Sequence, residues 1–108
     1  MSALVVSRIE PAEPLHKRVP SHDEHGRTLT DFMILLPGLR DRPPVSIEEL
    51  VTRIQLVFAH HADNIRFAEL NIRLNLLWVS VKPVTGIRFE IATALRSIFP
   101  DARLVCHI

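Results

Sequence analysis

The chain has 108 residues, enough for one domain with its own core. Thirteen basic residues against twelve acidic ones leave a net charge of +1, without the basic excess of a typical nucleic-acid binder. The single cysteine, Cys106, excludes an intrachain disulfide framework and a cysteine zinc cluster.

No apolar run reaches the roughly 18 residues that would suggest a membrane-spanning helix. The start of the chain, Met-Ser-Ala-Leu-Val-Val-Ser-Arg, lacks the basic-then-apolar order of a signal peptide. The expectation is a cytoplasmic protein with no membrane partner. Eleven of the thirteen cations are arginine, which reads as coding bias before functional choice.

Residues 1–30 read as an N-terminal arm, mostly extended or disordered. Ala3 to Ile9 is an apolar run that either adds an edge strand or trails in solvent. Glu10 to Thr30 holds three prolines and three histidines, with almost no apolar periodicity. Residues 31–108 read as a single α+β domain. Phe32-Met33-Ile34-Leu35-Leu36, closed by Pro37-Gly38, is a short apolar run suited to a strand within a sheet. Gly38 to Pro44 reads as a polar loop.

A helix is expected from Ser46 to about His61. Ser46 and Glu49 have the spacing of a capping box, with Val45 and Leu50 as its staple. Ile47, Leu50, Val51, Ile54, Val57, Phe58 and His61 recur at helical steps. Between Asn64 and Lys82 there is no Gly or Pro. The apolar parity slips between Phe67 and Leu70 and again between Leu76 and Leu77. The preferred reading is two strands, 65–70 and 73–82, reversing near Asn71. The rival is one bulged strand over 70–82. A second helix should be capped by Thr85, with Gly86 just inside. Its stripe is Ile87, Ile91, Ala94, Leu95 and Ile98, broadened by Phe89, Ala92 and Phe99. Pro100-Asp101 ends it, and a strand follows from Arg103 to Ile108. The succession strand, helix, strand, strand, helix, strand predicts a ferredoxin-like βαββαβ sandwich, with both helices on one face of a mainly antiparallel sheet.

Several residues invite a chemical reading. His22 and His25 flank two carboxylates with ligand-like spacing, yet sit in the proline-flanked arm, where further ligands are not fixed; no metal site is assigned. His60 and His61 point about 100° apart on the helix and suit its negative end. Cys106 and His107 alternate on the last strand and face opposite ways. The chain has no nucleophile elbow, phosphate-binding glycine loop or dinucleotide fingerprint. Three glycines, at 26, 38 and 86, leave little material for one. No cofactor is expected. Arg66, Arg73, Arg88, Arg96 and Arg103 are interspersed with acids and lack the aromatic platform of an RNA-binding sheet, which argues against a nucleic-acid partner.

Two places remain. Lys82-Pro83-Val84-Thr85-Gly86-Ile87-Arg88 joins a strand to a helix start, where free N–H groups and two cations can receive an anion; Lys82, Thr85, Gly86 and Arg88 are the candidate ligands. Trp78 and Ser80 should face away from the helices if Leu77, Val79 and Val81 face them. With Ile72 and Leu74 they form the candidate interface, since strands apolar on both faces need cover on both, from a second subunit or from the arm of residues 1–30. The expected function is a small non-catalytic interaction or regulatory module, a homodimer or the partner of a larger protein. The alternatives are an anion- or ligand-binding domain using the Lys82–Arg88 loop, and a small dimeric enzyme of unassigned reaction with a pocket near His60, His61 or Cys106.

Overall fold

A computed structural model describes residues 3–7 and 28–105. Its elements are β1 (Ala3–Ser7), β2 (Thr30–Leu35), α1 (Pro44–His60), β3 (Ile65–Asn71), β4 (Leu76–Val81), α2 (Ile87–Arg96) and β5 (Arg103–Val105). The strands form one sheet in the order β1-β3-β4-β2-β5. Neighbouring strands along β3-β4-β2-β5 pair antiparallel, and β1 adds to the β3 edge in parallel. The class is α+β, and no described helix is long and apolar enough to cross a membrane.

One face of the sheet lies against the helices. Phe32 and Ile34 of β2, Ala68 and Leu70 of β3, and Leu77, Val79 and Val81 of β4 are buried there. Ile47, Leu50, Ile54 and Phe58 of α1 meet them in the same core, as do Ile87, Ile91, Ala92 and Leu95 of α2. Each large aliphatic or aromatic side chain taken out of water in this way contributes about 1.5–3 kcal/mol.

The helix starts differ from the expected caps. Pro44 opens α1, with Pro43 as its N-cap and no side-chain cap bond. The first backbone bond runs from Ile47 N–H to Pro43 O at 3.1 Å. Proline is suited to a first helical position, because its φ is already helical and its missing N–H would have gone unused. Ser46 is therefore inside the first turn, and the capping box does not form. Val45, expected in the staple, is 66% exposed. The preceding loop also contains a single 3-10 turn, Leu39–Asp41, which buries Leu39 in the core.

The segment 64–82 is a hairpin, and its reversal falls at residues 72–75 instead of at Asn71. No glycine is needed, because two asparagines shape the turn. Asn71 Oδ1 accepts from Leu74 N–H at 3.0 Å. Asn75 takes φ 57°, a left-handed conformation that asparagine tolerates better than most residues. It also receives Arg40 N–H on its side-chain oxygen at 2.8 Å and Leu36 N–H on its carbonyl at 2.7 Å. The hairpin is thereby tied to the end of β2.

This reversal changes the meaning of the apolar pattern. Leu70 and Ile72 precede the turn and Leu77, Val79 and Val81 follow it, yet all five lie in the same core. The parity slip at Leu76–Leu77 records a chain reversal, not a strand apolar on both faces. The earlier irregularity is a register shift between Ile65 and Phe67, which sends Ile65 to the core while Phe67 pairs with Ser80. Phe89 is a further correction. It lies two residues after Ile87, about 200° around the helix, and is 64% exposed.

Candidate functional site

The strand-to-helix loop after β4 forms a depression of about 330 Å³, lined by Thr30 and by every residue from Val81 to Phe89. Lys82 N–H bonds Asn64 O at 2.9 Å, which fixes the root of the loop against the start of β3. Pro83 then turns the chain tightly, with Val84 N–H on Lys82 O at 2.8 Å. Gly86, not Thr85, is the N-cap of α2, at φ 79° and with no side-chain cap bond. That conformation strains any residue with a Cβ, which accounts for glycine here. Ile87 N–H is already used by Val84 O, and Glu90 N–H makes the first i→i−4 bond to Gly86 O. The N–H groups of Arg88 and Phe89 are thus the helix-start donors, at the positive end of the α2 dipole. Thr85, Gly86 and Arg88 are exposed, and Lys82 is half-buried. The loop brings all four predicted ligands to one depression. Thr30 and Phe89 join them and were not foreseen.

The second face of the sheet is defined by cross-strand register. Phe67 pairs with Ser80, and Ser80 with Asp31. Glu69 pairs with Trp78, Trp78 with Met33, and Met33 with Val105. Asn71 pairs with Leu76, Leu76 with Leu35, and Leu35 with Arg103. Directly opposed residues share a face, so these three rows form one surface with Trp78 near its centre. Met33, Leu35, Phe67, Leu76, Trp78 and Val105 are half-buried, while Glu69, Asn71 and Ser80 are buried. Trp78 Nε1–H donates to Asp31 Oδ2 at 2.9 Å, across one diagonal of this pattern.

Of the four predicted interface residues, Trp78 and Ser80 lie on this face. Ile72 does not: it is 6% exposed and packs in the core on the helix side. Leu74 is at the hairpin tip, 43% exposed. Asp31, Met33 and Leu35 were missed as members of the surface. Their signal was present in β2 as alternation with the core residues Phe32 and Ile34, hidden within a run that is almost wholly apolar.

The remaining candidates do not converge on a reaction centre. Helix α1 ends at His60 with His61 as its C-cap, and their rings meet edge to face at 5.3 Å. No group of three or more His, Cys, Asp or Glu is placed to hold a metal among the described residues. His22, His25, Cys106 and His107 lie outside those residues. The five arginines do not form one stripe. Arg73 and Arg88 lie beyond opposite ends of β4, and Arg96 Nε donates to Ala102 O at 3.1 Å. No protein-family model, curated protein or solved structure matches the chain.

Proposed function

We propose that this chain is a non-catalytic interaction module that pairs with a second copy of itself through the face of the sheet centred on Trp78. The observation that carries the reading is the three-row surface itself. Six half-buried apolar residues stand together there, while both helices are spent on the opposite face. Such a contiguous patch is a common mark of an association surface. Glu69 lies on β3 toward one edge, and Arg103 lies on β5 at the other. Stacking two copies face to face about a twofold axis along the strands sets β3 over the partner's β5. Trp78 then lies over the β2 row of Met33, and Arg103 lies over the partner's Asn71.

The finer fold reading belongs to the same proposal. Without β1, the antiparallel strands lie in the order β3-β4-β2-β5, with α1 and α2 in the two crossovers, an arrangement that supports a ferredoxin-like sandwich. A cytoplasmic setting is also part of this reading. Sedimentation equilibrium of the full chain tests it. A dimer whose dissociation constant rises about tenfold or more in Trp78→Ala is expected, with a smaller rise in Arg103→Glu. A monomer at every concentration, or a dimer indifferent to both changes, overturns it.

A second reading is favoured by the depression over the Lys82–Arg88 loop: binding of a small anion between Lys82, Thr85, the Gly86 turn and Arg88. Calorimetric titration with inorganic phosphate checks it. Binding must weaken in Lys82→Ala and Arg88→Ala and with added salt, since surface charge attraction is screened.

A further inference from the structure

The helix layer carries an apolar groove that the sheet does not touch. It holds about 290 Å³ and is lined by Arg53, Leu56, Val57, His60, His61, Ala94 and Ile98. Arg53, Leu56, Val57 and His60 recur at three- and four-residue steps, so they share one face of α1. Across from them stands Ala94 of α2, whose small side chain leaves the space between the helices open. Leu56 is 67% exposed, the most exposed of the large apolar side chains among the described residues. The charged residue of the rim is Arg53. Arg53 has no ion pair among the described residues, the His60 and His61 rings lie at the C-terminal end of α1, and no carboxylate lines the groove.

We propose that this groove receives an amphipathic helix of a partner protein, with two aliphatic residues four apart seated between Leu56 and Ala94 and carboxylates beside them on Arg53 and the histidine pair. An apolar floor selects a helical segment by its i and i+4 side chains. A cation at the rim, Arg53, selects an acidic flank and sets the register more than it adds affinity. The groove and the Trp78 surface are built from different elements, so this proposal stands apart from self-association.

The test is fluorescence anisotropy of the full chain with two labelled synthetic helical peptides. One carries leucines at i and i+4 flanked by glutamates; the other replaces the glutamates with lysines. The acidic peptide is expected to bind, with affinity falling about tenfold or more in Arg53→Glu and in Ala94→Leu, which fills the groove. Val45→Ala, at an exposed position on neither surface, should leave it unchanged, and thermal unfolding of Ala94→Leu shows whether that variant is folded. Should that variant not fold, Leu56→Gln takes its place, since Leu56 is exposed and contributes little to the core. Equal binding of the two peptides, no binding of the acidic one, or binding undiminished in Arg53→Glu and the groove variant would overturn the proposal.

Discussion

The two faces of the sheet come from the same strands and are filled by opposite logic. On the helix side, Phe32, Ile34, Leu70, Leu77 and Val79 are fully buried against α1 and α2. On the other side, apolar and polar residues share the rows, and Trp78 is only half-buried, with its indole N–H held by Asp31. A face completed within the chain has no polar group to satisfy. On the proposed pairing, the polar residues that the second face keeps among its apolar ones would help to set the register of the two copies.

Substitutions can sharpen this contrast. Leu77→Ala should cost the most, about 2–5 kcal/mol by chemical denaturation, because it opens a cavity in a region already packed by two helices. A cost below 1 kcal/mol there would mean that the helix-side core is looser than described. Asn75→Ala should cost about 1–2 kcal/mol, since a residue at φ 57° loses both the tolerance and the side-chain acceptor used by Arg40 N–H. Asn75→Gly should recover part of that loss. Asp31→Ala should cost about 1 kcal/mol in a dilute sample, from the hydrogen bond to the Trp78 indole. Ser46→Ala should cost less than about 0.5 kcal/mol, because Ser46 caps nothing. A loss near 1 kcal/mol would restore the capping box.

Much of the fold was legible in the sequence, for particular reasons. The stripes Ile47-Leu50-Ile54-Phe58 and Ile87-Ile91-Leu95 have the period of a helix and are the residues buried. The loop 82–88 was legible because proline and glycine leave few backbone choices. Other features were hidden because two physical solutions share one local pattern. Ser-x-x-Glu after two prolines fits a capping box, but Pro44 itself satisfies the first helical position. A parity slip fits a bulge or a reversal, and only the pairing of Leu70 with Leu77 across β3 and β4 decides that they face the same core. Turn prediction looks for glycine, and Asn75 took the left-handed position instead. The Asp31–Trp78 bond spans 47 residues, so no local pattern announces it.

Trp78 is the only tryptophan, so its fluorescence reports on the second face alone. Acrylamide quenching of that emission, measured as protein concentration rises through the association range, tests the central proposal most directly. Quenching should fall as concentration rises, and Arg103→Glu should shift the transition to higher concentration. Quenching that stays constant at all concentrations, with the same value in Arg103→Glu, would contradict pairing through this face.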